Sequence, residues 1–483
     1  MEHPVTQNHK ENVKYIKEEL GFGISFDILN VDAHYAGRDM SFFMVDGMVQ
    51  GDIMHYLMRF LAKLDPERLQ PDPLQAMLKQ FIPYVEISSE KDLDKAVFWV
   101  TCGCTALMVE GIDQAIIIDA RTYPARSPEE PEVERVVRGA RDGFVETIIF
   151  NTALVRRRVR DPSLRMEYLS VGRRSKTDIC ISYIKDIANP EVVAQLKRSI
   201  SKIDTDGLPM AEKTVEEFIA GRHFNPFPIA RYTERPDTAA VHLFEGHVLI
   251  FVDGSPVVLI APSTLWNQLQ HVEEYRQKPI IGSYLRLVRY LCVGASVYFL
   301  PLWYIFATQP YLPAHHLKFI AVSHSSDVPL ILQLLLIEIG LDALRMATIH
   351  TPTSLATALG LVAAIMIGQM AVDVGLFSKE TVIYMSIAAI GTFATPLYEL
   401  SLANRLARLL LMFASFLFGV SGFVLGSTAL IVYLARTDSM NVPYLWPFIP
   451  FSTEGMREVL FRIPAPMKDK RPIALNTIDS DRK

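Results

Sequence analysis

Cysteine is scarce in this chain: four thiols, Cys102, Cys104, Cys180 and Cys292, among 483 residues. Cys102 and Cys104 form C-x-C, without the C-x-x-C spacing or the downstream His/Cys pair of a zinc site. So few thiols, so placed, exclude a disulfide framework and read as reduced structural residues. An excess of positive charge is missing too. A net charge of −5 and a pI of about 6.2 give no global field for nucleic acid. The first twenty residues, MEHPVTQNHKENVKYIKEEL, lack an apolar core, so no cleavable signal peptide is expected. No G-x-S-x-G, H-E-x-x-H, Walker loop or Rossmann glycine fingerprint is found. The 12 histidines are scattered, with His315–His316 the single adjacent pair. Neither an enzyme nor a resident metal or cofactor is expected.

The most informative scarcity is local. Only 12 of the 101 charged residues fall between Leu287 and Leu434, about 8% of that stretch against about 27% elsewhere. Soluble chains carry about 25%. The chain therefore divides into a soluble part of ordinary composition and an apolar part of membrane composition.

The soluble part reads as α/β or α+β in two pieces, 1–160 and 161–286. Apolar runs at 22–31 and 41–46 precede helical spacing in GDIMHYLMRFLAKLD. Leu107–Ala120 reads as a hairpin turning at Glu110–Gly111. Residues 121–135 are rich in Pro and charge and read as an exposed loop. Phe144–Val155 has helical spacing and ends in Arg156, Arg157, Arg158 and Arg160. Cations suit a helix C-terminus, so the cluster is either a capped surface helix or a contact to anionic lipid or a partner. Asp178–Ile184 alternates as a strand, and Asn189–Pro190 opens an amphipathic helix. His242–Ile260 reads as a hairpin with turns at Glu245–Gly246 and Asp253–Gly254. It echoes the first and suggests a duplicated β element.

The apolar part, 287–451, is expected to be an α-helical domain of four to six membrane segments. Leu287–Ala307 is long enough to span. Arg276, Lys278, Arg286 and Arg289 before it outnumber Lys318 after it, which places residues 1–286 in the cytoplasm. Val328–Ile349 carries Glu338, Asp342 and Arg345 on one helical face. It is either an interfacial helix whose charges neutralise one another or a polar stripe lining a conduction path. Ser354–Phe377 is a small-residue span with Gly368 for packing and Gln369 and Asp373 one turn apart. Thr381–Leu397 is another span. Leu409–Leu434 is free of charge and carries Gly419, Gly422 and Gly426, read as a helix–helix contact that also suits an oligomer. The basic tail, 452–483, prefers the cytoplasm. Five full spans would put it outside, so either Val328–Ile349 does not cross or Pro443–Phe451 re-enters.

Several stretches together resemble the germinant-receptor A-subunit family of bacterial spore germination membrane proteins. They are ARSPEEPEVERVVRGARDGFVETIIFNTALVRRRV, FEGHVLIFVDGSPVVLIAP, the E-x6-R pair Glu338/Arg345 with Pro352 beyond it, and ALGLVAAIMIGQMAVDVGLFS. They occur in order across nearly the whole chain. Ala140 departs from the pattern, where the family commonly has proline. The resemblance implies a spore inner-membrane protein, with lipids and other spore germination membrane proteins as partners. It further implies a homo-oligomeric, ion-conducting channel active during germination. A non-conducting scaffold coupling receptors to dipicolinate release is the alternative. A transporter is disfavoured by the small number of spans and the lack of an inverted repeat.

Overall fold

The computed structural model describes all residues except 1–2, 83, 85, 123–133, 135, 222–223, 310, 313–319, 321, 323–327, 351–368 and 483. Most of the expected loop at 121–135 and most of Ser354–Phe377, with His315–His316, Lys318 and Gly368, lie outside them.

The first unit runs α1 (His9–Leu20), β1 (Ile28–Tyr35), β2 (Arg38–Val45), α2 (Gly51–Leu61), β3 (Ile87–Glu90), α3 (Leu93–Thr101), β4 (Thr105–Val109) and β5 (Ala115–Ile118). Short helical turns between Pro66 and Phe81 precede β3. The second runs α4 (Ile148–Arg156), β6 (Leu164–Val171), β7 (Thr177–Ile184), α5 (Pro190–Ser201), α6 (Ala211–Ala220), β8 (Arg231–Thr233), α7 (Pro236–Glu245), β9 (Val248–Val252) and β10 (Val258–Ala261). Both sheets are antiparallel, ordered β1-β2-β4-β5-β3 and β6-β7-β9-β10-β8. The units therefore match strand for strand, with α6 standing where the first unit has the short helical turns between Pro66 and Phe81. The duplication hinted at by one hairpin extends over the whole soluble part.

Alternation explains why each sheet is a middle layer. Met40, Phe42, Met44, Leu107 and Val109 face α2, while Phe43, Val45, Ala106 and Met108 face α1 and α3. In the second unit Ile179, Ile181, Ile250 and Val252 face α5 and α6, while Cys180, Leu249 and Phe251 face α4 and α7. Burial on both faces makes β4 and β9 read as unbroken apolar runs.

Two expectations shift. Glu245–Gly246 is no hairpin turn: Gly246, at φ 99°, ends α7 and feeds β9. Its counterpart is Gly103 between α3 and β4, while Gly111 pairs with Gly254 in the β4–β5 and β9–β10 turns. The echo was real but set one element out of step. The seam also moves. α4 packs on the second sheet as α1 packs on the first, so the second unit begins near Phe144 rather than at 161.

The apolar part forms α8 (Pro279–Thr308), α9 (Leu330–His350), α10 (Lys379–Phe393) and α11 (Tyr398–Ala435). Among the described residues two helices, α8 and α11, are long and apolar enough to cross a membrane. α11 is not one rod. Gly419 adopts φ 59°, ψ −135°, a backbone state that essentially only glycine reaches. The chain reverses there. A Cβ on Gly422 would strike the Ala414 carbonyl, and one on Gly426 would lie 2.9 Å from Leu411 Cδ2. In a straight helix these residues would be more than one turn beyond reach. Leu430 and Leu434 accordingly pack in the cluster of Leu400, Ala403 and Leu411.

The second arm of α11 returns to the side of the second unit, where the chain after it docks. Leu265 N donates to Tyr444 O (2.9 Å), Ser439 Oγ to Ile229 O (2.7 Å) and Ile478 N to Ile187 O (3.0 Å). Pro443–Phe451 packs against the segment that follows the second sheet. Phe448 stacks on Trp266 (ring centroids 4.5 Å apart) beside the start of α8.

Candidate functional site

Charges of α9 and of the first arm of α11 meet where α8, α9, α10 and α11 cross. α9 brings Glu338, Asp342 and Arg345 to one face, as the spacing required. Their partners come from the first arm of α11. Arg408 donates to Glu338 Oε1, Arg405 Nε lies 3.5 Å from the same oxygen, and Arg405 also pairs with Asp342. Arg408 further donates to Ser296 O of α8 (2.7 Å) and Thr392 Oγ1 of α10 (3.3 Å). Glu338 and Arg408 are each only 3% exposed. Arg345 lies over the rings of Tyr398 and Phe393, with its Cζ 5.2 and 5.6 Å from their centroids.

The expected self-neutralising set on one helix is thus corrected: Glu338 is neutralised from α11, not by Arg345. From the sequence, Arg405 and Arg408 read only as charges following a span. Their i,i+3 spacing, matching the face of Glu338 and Asp342, was the available signal. Glu338 Oε2 is buried without a hydrogen-bond partner. Beside it is a cavity of about 230 Å³ lined by Leu341, Leu344, Ala389 and the charged groups. Arg408 is about 16 Å along its helix from the Gly419 reversal, so the cluster sits deep among the helices. The void is larger than one water, and its lining is mostly apolar with the charged side chains at its edge.

Other expected site residues are not gathered there. Gln369 and Asp373 are exposed, beside the short helix Ala371–Asp373. Gly419, Gly422 and Gly426 do mediate helix contact, but between the two arms of α11. The arginine run does not act as one patch. Arg156 is buried, and its Nε and Nη2 donate to the Asp27 carboxylate at 2.9 and 3.1 Å, joining the two units. It cannot reach lipid. Arg158 pairs with Asp142, while Arg157 and Arg160 lie at the surface. Cations ahead of α8 and in its first turns are engaged as well: Arg276 with Asp237 (2.8 Å), and Arg286 (2.8 Å) and Arg289 with the buried Glu274. Their number reflects local ion pairing as well as any orientation signal.

A helical layer with a buried ion-pair cluster, carried by a duplicated α/β unit, is the architecture of this chain from end to end. The chain belongs to the Bacillus/Clostridium GerA spore germination protein family, which it matches over residues 14–474. It is similar to stage V sporulation protein AF of Bacillus subtilis (strain 168), with 48% identity over 468 residues, 97% of this chain and 95% of that one. It is also similar to spore germination protein KA of the same organism, with 31% identity over 480 residues, covering 98% and 88% of the two chains. Among solved structures it is similar to the N-terminal domain of the A subunit of the Bacillus megaterium spore germinant receptor GerK3. That likeness has 28% identity and a TM-score of 0.44, over 55% of this chain and all but 2% of that one (98% covered).

Proposed function

We propose that this spore germination protein is a non-enzymatic, multi-span protein of the spore inner membrane whose copies assemble into an ion-conducting channel that promotes germination. Residues 1–278 and the tail would face the spore core. Lipids and other germination proteins would be its neighbours. The observation carrying this reading is the Glu338 cluster. A carboxylate with one unpartnered oxygen, beside a cavity of about 230 Å³, lies deep in the apolar helices. Charge at that depth is costly and is kept where it serves a polar path.

The competing scaffold reading rests on the same cluster being balanced, Arg405 and Arg408 against Glu338 and Asp342. Cation release from spores carrying Glu338→Ala or Asp373→Ala separates the two. Slowed or ion-shifted release supports conduction. Release unchanged in both variants, at normal protein levels, sinks a pore role for these residues and favours the scaffold.

A further inference from the structure

We propose that the C-terminal end of α7 carries a binding site for a divalent transition ion of the zinc type, held by His242, Glu245 and His247. Gly246 lets the chain turn back so that His247 N donates to His242 O (3.0 Å). This sets the two imidazoles side by side, with centroids 5.0 Å apart, while Glu245 lies one turn from His242. One ligand atom from each of the three residues lies within 4.8 Å of the others.

Both rings are oriented as metal ligands usually are. His242 Nδ1 donates to Thr238 O and His247 Nδ1 to Pro262 O, each at 2.8 Å. A carbonyl cannot donate, so each Nδ1 carries the proton and each Nε2 keeps its lone pair. Backbone partners that fix this tautomer are the common outer support of ligating histidine. His247 is 1% exposed, and its Nε2 is buried without a hydrogen-bond partner. That is a lone pair withdrawn from water with nothing to accept it.

Two imidazoles and a carboxylate match a zinc donor set that leaves a fourth position for water. Bonds of about 2.0–2.1 Å put ligand atoms about 3.4 Å apart, so the side chains would close by roughly 1.4 Å at most. A cavity of about 270 Å³ bordered by His242 and Glu245 gives access.

Lys468 of the tail is the competitor. Its Nζ donates to Glu245 Oε1 (2.7 Å), and Arg482 lies 3.9 Å from the same oxygen. Metal and tail lysine would therefore contend for one carboxylate.

The test is Zn²⁺ titration of the purified full-length chain in detergent, after chelation, with Co²⁺ absorption reporting ligand geometry. One saturable Zn²⁺ per chain is expected, lost in His242→Gln/His247→Gln at unchanged metal-free thermal stability. Lys468→Met should bind about tenfold more tightly. No saturable binding, or binding that persists in the double variant, overturns the site. Should the double variant fail to fold, Lys468→Met decides: tightened binding supports the site, and unchanged binding refutes it.

Discussion

Glu338 and Arg408 provide the sharpest test of how the helices are held. Each is almost wholly buried, and they come from helices separated by a long stretch of sequence. Arg408→Leu leaves Glu338 with Arg405 Nε at 3.5 Å. Glu338→Leu leaves Arg408 with only Ser296 O and Thr392 Oγ1. Stranding one buried charge costs about 3–5 kcal/mol, whereas replacing a whole pair by apolar groups is often neutral or stabilising. Each single variant should thus lose about 3 kcal/mol or more, and the double variant should recover most of it. Unfolding of the purified chain in mixed micelles, followed by circular dichroism against added SDS, would measure the three differences. A coupling of about 2 kcal/mol or more is expected, since contacting residues couple by about 0.5–3 kcal/mol. Additive losses, or single losses below about 1 kcal/mol, would refute the pairing.

Asp27→Asn should destabilise the joined units by about 3 kcal/mol by stranding Arg156, measured by urea unfolding of the soluble part within the full chain. Cysteines placed at Leu411 and Gly426 should crosslink readily. Adding Gly422→Val should abolish that crosslink, because its side chain would occupy the space of the Ala414 carbonyl. Burial pushes the Cys104 thiol up to about 12. It should therefore resist maleimide labelling at pH 8 in the native protein and react only after unfolding.

How far the sequence spoke depended on the range of each interaction. Local chemistry was plain: Asn189 caps α5 through Glu191 N (2.9 Å), and Leu107–Ala120 does form the β4–β5 hairpin. The charged face of α9 followed from spacing alone. What stayed hidden were partners far away along the chain. Arg156 opens a run that looks like a solvated helix end, yet its carboxylate comes from Asp27, 129 residues earlier. The reversal in α11 was hidden for another reason. A charge-free apolar run has the same composition whether it is one long helix or two packed arms, and three glycines were the only mark of the difference. The duplicated topology was masked because strands buried on both faces lose the alternation by which strands are aligned.

The folded-back α11 also bears on the lipid around it. Its returning arm, residues 420–435, is about 24 Å long at 1.5 Å per residue. The hydrocarbon of a typical bilayer is about 30 Å thick. Under the proposed membrane reading, this side of the protein would be mismatched by about 6 Å, and the bilayer would thin or dimple near Gly419. The protein would then favour thin patches of membrane. Copies gathered around one dimple would share its elastic cost, which is an attraction between them that needs no direct contact.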